Sequence, residues 1–293
     1  MRLRSLLLAA VLLALCAAPS SAGPQPPAGW TDGYVMANGI RIHYWRTGGN
    51  KPVLVMAHGS SDDALCWTNL AREFQDQYDI VMFDARGHGL SDPPTPSDAP
   101  DVQVEDLAGL IKELKLTRPT LMGHSMGSSS VARFAAKYPD VARAVILEDP
   151  GLVRPATPAA GAATQTPDQR RATILARNNT TEEELVAGCM KNSPKWGRSE
   201  CEFWAPSKRR HHPGTVQNVP STLPPVGELF PKITAPTLIL KADAQGDLRK
   251  QNEDVASRLP KGKIVHIEGA GHNVRRENKT QTIEVMKAFL SGT

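Results

Sequence analysis

A serine flanked by glycines is the feature of this sequence that points most directly to chemistry. Gly123-His124-Ser125-Met126-Gly127 fits the pattern Gly-x-Ser-x-Gly, and an apolar run at 120–122 precedes it. In this pattern a sharp turn from strand to helix exposes the serine hydroxyl, and the glycines avoid clashes at the turn. The helix that follows offers free N–H groups and partial positive charge. We therefore predict that Ser125 is a nucleophile rather than a serine that only caps a helix.

A serine hydroxyl needs a base to take its proton before it can attack. His272 ends the glycine-rich stretch 268–272, between the last apolar run and the last amphipathic segment. A loop at the C-terminal end of a strand can return to Ser125, so His272 is the predicted base. Four other histidines lie in turns, in a strand or beside the nucleophile, and we expect structural roles for them: His58, His88, His124 and His266.

These two residues require a parallel sheet to position them. Six short runs are apolar on both faces, which is typical of buried parallel strands: 53–56, 80–83, 120–122, 144–147, 237–240 and 264–267. Amphipathic segments separate most of these runs and follow the last one: 65–77, 102–116, 126–138, 248–259 and 280–290. The alternation predicts an α/β fold with a mostly parallel, doubly wound sheet. Asn38-Gly39 predicts a hairpin turn before it.

One long segment, 151–230, interrupts the alternation and is predicted to be a helical cap inserted after the strand that follows the nucleophile helix. It contains polar helical stretches, many prolines and no strand pattern. We expect it to cover the C-terminal edge of the sheet, where open α/β sheets bind ligands; an insertion without such a role is the alternative. The α/β core would then comprise 23–150 and 231–293. Trp196, Phe203 and Trp204 either line an apolar pocket or pack inside the cap.

The N-terminal residues predict export. Residues 1–22 contain a basic start, an apolar run too short to span a bilayer and small residues before Gly23, which is typical of a cleaved signal peptide. We therefore expect a secreted protein, extracellular or periplasmic, without stable membrane insertion. Of the three cysteines that would remain, Cys189 and Cys201 are the favoured disulfide pair because they lie in one stretch; pairing with Cys66 stays open.

Charge argues against two classes of partner. The formal net charge is only +4, and the basic residues are scattered. Neither nucleic acid nor an anionic membrane is therefore an expected partner. The densest basic cluster, 208–212, is predicted to be a solvent-exposed face.

Several motifs in their order along the chain resemble the α/β-hydrolase superfamily. They are His58-Gly59 after a strand, the stretch 84–91, the glycine-flanked Ser125 and Gly271-His272. The resemblance implies a serine hydrolase fold from about residue 34 onwards, apart from the cap. It also implies an oxyanion hole formed by the backbone N–H groups of Ser60 and Met126, with no metal or organic cofactor.

The acid that orients His272 is less directly indicated. Many superfamily members place it after the strand matched here by 237–240, but Gln245 occupies the expected place and Asp243 and Asp247 flank it. Haloalkane dehalogenases and zearalenone-type lactonases are similar in using an acid 24 residues past the nucleophile, which is Asp149 here. Asp149 is preferred on that resemblance, and Glu148, Asp243 and Asp247 stay open.

The expected function is hydrolysis of a small-molecule carboxylic ester or lactone through an acyl-enzyme. A serine at the elbow argues against dehalogenase and epoxide-hydrolase chemistry, which the superfamily performs with an aspartate there. Three alternatives share the scaffold: a cofactor-free perhydrolase similar to the chloroperoxidase-like members, an amide or C–C bond hydrolase, and a ligand-binding receptor. The substrate and the oligomeric state are not indicated by the sequence.

Overall fold

The computed structural model describes residues 24–153, 165–218 and 223–293. The predicted signal peptide, 1–22, lies outside these residues and stays a prediction. In the described ranges, no helix is long and apolar enough to cross a membrane.

An eight-stranded sheet forms the centre of the molecule. The strands are β1 Thr31–Ala37, β2 Ile40–Arg46, β3 Val53–Ala57, β4 Asp79–Phe83, β5 Thr120–His124, β6 Ala144–Glu148, β7 Thr237–Ala242 and β8 Gly262–Ile267. Their order across the sheet is β1-β2-β4-β3-β5-β6-β7-β8. β1 and β2 are antiparallel to their neighbours, and β3 to β8 run parallel. The predicted mostly parallel sheet is confirmed, and each of the six apolar runs lies in a strand.

Helices cover both faces of this sheet. They are α1 Thr68–Phe74, α2 Val102–Glu113, α3 Met126–Lys137, α4 Pro167–Asn178, α5 Glu182–Asn192, α6 Gly197–Arg209, α7 Gly246–Ala256, α8 Val274–Glu277 and α9 Lys279–Leu290. Successive side chains of a strand point to opposite faces. In β3, Val55 therefore packs in the core under α2, α3 and α7, whereas Leu54 and Met56 pack in the core under α1, α8 and α9. The doubly wound arrangement follows from this division.

The first two strands form the predicted hairpin. β1 pairs with β2 in antiparallel register from Thr31 opposite Arg46 to Ala37 opposite Ile40. Asn38 and Gly39 at the turn have φ angles of 46° and 79°. Positive φ at both positions is what a tight two-residue hairpin turn requires, and Asn and Gly tolerate it best.

Three helices, α4 to α6, lie within the segment predicted as the cap, although its boundaries at 151 and 230 stay a prediction. α4 and α5 each begin with a capping box, formed by Thr166 with Gln169 and by Thr181 with Glu184. Side-chain and backbone donors satisfy each other there, so both helix starts are fixed locally. The predicted disulfide between Cys189 and Cys201 is confirmed and joins α5 to α6.

The prediction of a solvent-exposed basic face at 208–212 is wrong for two of its residues. The Lys208 side chain is 1% exposed, and His211 is also buried. Lys208 Nζ lies 2.7 Å from Asp62 Oδ1, and this buried carboxylate compensates the charge. Arg209, Arg210 and His212 are exposed as expected.

Candidate active site

Ser125 lies at the strained turn between β5 and α3. Its φ and ψ are 51° and −109°, a conformation that non-glycine residues rarely adopt. A Cβ on Gly123 would come within 2.3 Å of Gly127 O, and a Cβ on Gly127 would come within 2.1 Å of Ala57 O. Only glycine fits at either position, which explains both glycines of the sequence motif.

Hydrogen bonds hold this turn against the neighbouring strand. Ser125 N donates to Glu148 O at 3.0 Å, and Ser128 Oγ donates to Gly123 O at 2.5 Å and to Glu148 O at 2.9 Å. These bonds join the end of β5 to the end of β6. They fix the Ser125 side chain at the C-terminal edge of the sheet, in front of the first turn of α3.

His272 connects Ser125 with Asp149. Its Nε2 lies 2.9 Å from Ser125 Oγ, and its Nδ1 lies 2.5 Å from Asp149 Oδ2. The Asp149 side chain is only 9% exposed, whereas that of His272 is 55% exposed. One ring nitrogen can therefore accept the serine proton while the carboxylate fixes the other as a donor.

The two partners shift each other's pKa toward the ion pair. The hydrogen bond with Asp149 is the main cause that raises the pKa of His272 above its usual value, and burial opposes it. Burial alone would raise the pKa of Asp149, but the hydrogen bond from His272 and the charge of Lys241 outweigh it and lower the pKa. Asp149 therefore stays ionised and stabilises a protonated His272.

Lys241 is a member of this site that the sequence analysis did not identify. Its ammonium group contacts Asp149 Oδ1 and donates to Pro150 O at 3.1 Å. Ala242 N donates to the same carboxylate oxygen at 3.1 Å. One oxygen of Asp149 is thus held by β7 and the other faces His272. A lysine near the end of an otherwise apolar strand was the available sequence signal.

The backbone around His272 is also anchored. His124 Nε2 donates to His272 O at 3.0 Å, and Glu277 accepts from Gly271 N at 2.6 Å. Burial lowers the pKa of His124 to about 4, so its ring is neutral near pH 7. The structural role expected of His124 thus includes a contact with the loop that carries His272.

The other three candidate acids contact different groups. Glu148 is fully buried and accepts from Arg275 N and from Arg275 Nη1, both at 2.9 Å. Asp243 accepts from Gly269 N at 2.9 Å, and Asp247 lies exposed in the first turn of α7. Of the four candidates, Asp149 is the one that the structure brings to His272.

A buried ionic cluster lies behind the site and was also missed. Asp62 accepts from Lys208 Nζ at 2.7 Å and from Arg276 Nη2 at 2.9 Å, and Arg275 Nη2 lies 3.7 Å away. Arg276 Nε also donates to Glu200 in α6 at 3.2 Å. These pairs connect the core to α6. Arg275 and Arg276 lie in α8, directly after the loop that carries His272.

Ser125 opens into a cavity of about 610 Å³ that Ser60 and Met126 also line. Such a volume is typical of small-molecule sites. The cavity's walls include α4 and residues after α6, so the cap segment covers the C-terminal edge of the sheet as expected. Among the described residues, no group of three or more His, Cys, Asp or Glu side chains could hold a metal ion.

The three cap aromatics do not line the cavity into which Ser125 opens. Trp196, Phe203 and Trp204 are absent from the walls of this cavity. They instead pack against Arg276, Arg72 and Lys208, respectively, with the cationic groups 4.5, 5.8 and 4.7 Å from the ring centroids. The alternative, packing inside the cap and against the core, accounts for them.

Comparison with known proteins identifies the family. The model of the alpha/beta hydrolase family matches residues 54–284, so the chain belongs to this family. A 2-(acetamidomethylene)succinate hydrolase of Mesorhizobium japonicum is 35% identical over 104 residues, which are 36% of this chain and 37% of that protein. The matched segment therefore spans little more than a third of the relative. Epoxide hydrolase 1 of Caenorhabditis elegans is 24% identical over 92% of this chain and 72% of its own.

The solved structures agree with the fold. The crystal structure of E-2-(acetamidomethylene)succinate hydrolase superposes with a TM-score of 0.74 at 22% identity, over 89% of this chain and 99% of the other. At this identity the likeness supports the α/β-hydrolase fold alone.

Proposed function

We propose that this hydrolase cleaves a carboxylic ester or lactone through a Ser125–His272–Asp149 triad. The observation that carries the proposal is the continuous hydrogen-bonded chain from Ser125 Oγ, which opens into the cavity, through His272 to Asp149. No metal or organic cofactor takes part in the proposed reaction.

The proposed reaction has two acyl-transfer steps. His272 Nε2 takes the proton of Ser125 while Oγ attacks the carbonyl carbon, and the N–H groups of Ser60 and Met126 hold the developing oxyanion. His272 then protonates the leaving oxygen, and the acyl group stays on Ser125. A water molecule, activated by His272, attacks this acyl-enzyme and releases the acid and the free serine.

An ester or lactone is favoured over an epoxide because of the nucleophile. A serine gives an acyl-enzyme with a carbonyl substrate, whereas the superfamily opens epoxides with an aspartate at this position. The resemblance to an epoxide hydrolase over most of the chain therefore supports the scaffold rather than that reaction.

Amide hydrolysis is the second candidate function. The relative from Mesorhizobium japonicum is named for a compound with an acetamido group, and amides pass through the same acyl-enzyme chemistry. Matched p-nitrophenyl esters and p-nitroanilides of the same acids separate the two candidates by their kcat/KM values.

Substitution of the proposed nucleophile and base tests the proposal. Purified protein is expected to release p-nitrophenol from esters of short and medium acids. Ser125→Ala and His272→Ala are expected to lower kcat at least about a thousandfold, because each removes a member of the acylating unit. Ser257→Ala, which removes an exposed hydroxyl outside the cavity, is the comparison for nonspecific effects. A folded wild-type protein that hydrolyses no ester or anilide would refute the proposed function.

We also propose that the protein is exported by residues 1–22. The disulfide between Cys189 and Cys201 supports this, because such bonds form and persist in oxidising compartments.

A further inference from the structure

One face of α4 forms a wall of the cavity that contains Ser125. Arg170, Thr173, Ile174 and Arg177 all line it, at the spacing i, i+3, i+4 and i+7. Residues at this spacing share one face of a helix. Two arginines on one face of this cap helix, Arg170 and Arg177, therefore line the same cavity as Ser125. Arg171, the next residue along, does not line the cavity.

A third arginine, Arg133 of α3, lines the same cavity, and its hydrogen-bond partners among the described residues are uncharged. Arg133 Nη2 donates to Pro224 O at 2.6 Å and Nε donates to Ser129 Oγ at 3.3 Å. Arg133, Arg170 and Arg177 form no ion pair with any described residue. The residues outside the described ranges include no Asp or Glu that could supply one.

The fourth arginine of the cavity, Arg86, differs from the other three because it forms ion pairs. Arg86 donates to Asp106 at 2.7 and 3.0 Å and to Asp98 at 3.1 Å, and all three side chains are buried. These two carboxylates therefore neutralise the charge of Arg86 within the fold. Asp101 is the one acidic side chain among the residues that line the cavity, against three arginines without an ion pair. The described walls carry an excess of positive charge.

Two of these arginines are also partly removed from water. Arg170 Nε is buried and has no hydrogen-bond partner among the described residues. Burial lowers the pKa of Arg133, and the charge of Asp101 only partly opposes this. Desolvating a cation costs free energy, which an anionic ligand bound beside it would recover. Arg177, by contrast, is exposed.

We propose that Arg170 and Arg177, with Arg133, bind an anionic group of the substrate, a carboxylate or phosphate remote from the carbonyl that Ser125 attacks. The planar fork of guanidinium matches the oxygens of either group. This inference rests on the proposed function. It names the substrate class as esters or lactones whose acyl part carries a second, anionic group. The arginines hold that end while the acyl carbon faces Ser125.

The test compares two esters that differ only in charge. Mono-p-nitrophenyl adipate and p-nitrophenyl hexanoate share the leaving group and the acyl chain length, and only the first carries a carboxylate. The ratio of their kcat/KM values measures the preference for the anion. Arg170→Gln combined with Arg177→Gln is expected to lower this ratio at least about tenfold, because each change removes a charge-assisted contact.

Arg171→Gln is the matched control, since it makes the same change on the same helix outside the cavity. It is expected to leave the ratio within about twofold of the wild-type value. An unchanged ratio in the double variant, or an equal fall in Arg171→Gln, would overturn the inference, because the anion would then not be held by this face of α4.

A binding measurement separates this inference from the proposed function. Calorimetry on Ser125→Ala protein is expected to detect adipate, with affinity at least about tenfold weaker when Arg170→Gln and Arg177→Gln are added. If wild-type protein hydrolyses no ester but this arginine-dependent binding persists, the proposed function fails and the anion site stands. If neutral esters are hydrolysed and adipate does not bind, the anion site fails alone.

Competition by adipate and by inorganic phosphate distinguishes a carboxylate from a phosphate as the anionic group that binds. Adipate and phosphate are each added as competitors of p-nitrophenyl hexanoate hydrolysis, at equal ionic strength so that general screening is constant. Stronger inhibition by adipate assigns a carboxylate, and stronger inhibition by phosphate assigns a phosphate. Inhibition by neither contradicts the proposal.

Discussion

At the scale of single residues, two opposite charges act on His272. Asp149 favours its protonated form through a hydrogen bond, while the positive charge of Lys241 opposes protonation. Lys241 also contacts the Asp149 oxygen that does not face the ring, so it holds the carboxylate in place. Lys241 therefore positions Asp149, and its charge also adjusts the pKa of the proposed base.

Lys241→Met is expected to raise the pKa of His272. The lysine charge lowers that pKa in the native protein, so its removal leaves Asp149 free to stabilise the imidazolium. A base must be neutral to take the serine proton, so the acidic limb of the kcat/KM profile is expected to move to higher pH. The measurement is the pH dependence of ester hydrolysis in both proteins.

Lys241→Arg is the conservative comparison for this experiment. It keeps a positive charge beside Asp149 and is expected to restore the acidic limb toward the wild-type pH. An acidic limb that stays in place in Lys241→Met, with only the maximal rate reduced, would assign Lys241 a purely structural role.

At the scale of elements, the disulfide between α5 and α6 is the covalent bond that stabilises the cap helices. Cys189 and Cys201 are both buried and are 12 residues apart in the chain. Closing a loop of this length lowers the entropy of the unfolded chain, and the loss of the bond costs about 3 kcal/mol in the chain-entropy model.

The double substitution Cys189→Ala and Cys201→Ala is expected to lower the free energy of unfolding by about that amount. Urea denaturation followed by tryptophan fluorescence measures it. A reductant is expected to destabilise the wild-type protein similarly and to leave the double variant unchanged, because Cys66 is a free thiol and no disulfide between described cysteines then remains to be reduced. Equal urea midpoints for the two proteins would contradict a stabilising bond.

At the scale of the whole molecule, a buried ionic cluster joins the core to the cap helix α6. Asp62 meets Lys208, Arg275 and Arg276, all of them buried. Burial alone would raise the pKa of Asp62, but the charges of Arg276 and Lys208 outweigh it and hold the pKa well below its usual value. The carboxylate therefore stays charged and offsets cations that burial would otherwise make costly.

Asp62→Asn is expected to lower the free energy of unfolding at pH 7 by about 3–5 kcal/mol, because it leaves buried cations without their partner. Asp92→Asn breaks the surface pair with Arg41 and is expected to cost less than about 1 kcal/mol. Urea denaturation of both variants against wild type measures the difference. Similar costs for the two changes would contradict a special role for the buried cluster.

The pH dependence of this difference has a defined sign. The folded-state pKa of Asp62 lies below that of the unfolded chain, so its stabilisation is complete above about pH 5. It is lost as the pH falls through the depressed pKa. The gap in stability between wild-type protein and Asp62→Asn is therefore expected to shrink in acid and to stay constant from about pH 6 to 8.

The sequence by itself determined the features that depend on local pattern. Runs apolar on both faces predicted the parallel strands, because burial on two sides leaves no polar positions. The glycines around Ser125 predicted the strained turn, and at Gly123 the clash that excludes a Cβ involves Gly127, only four positions away. The same local reasoning selected His272 and the Asn38-Gly39 hairpin.

Only the tertiary structure decided what depends on which distant residues lie together. The sequence favoured Asp149 by resemblance but left Glu148, Asp243 and Asp247 open. The side-by-side ends of β6, β7 and β8 bring Asp149 into contact with both Lys241 and His272. The burial of Lys208 could likewise not be predicted from the sequence, because its counter-charge Asp62 is 146 residues away in the chain. Electrostatic partners are chosen by proximity in space, and a single sequence records only proximity along the chain.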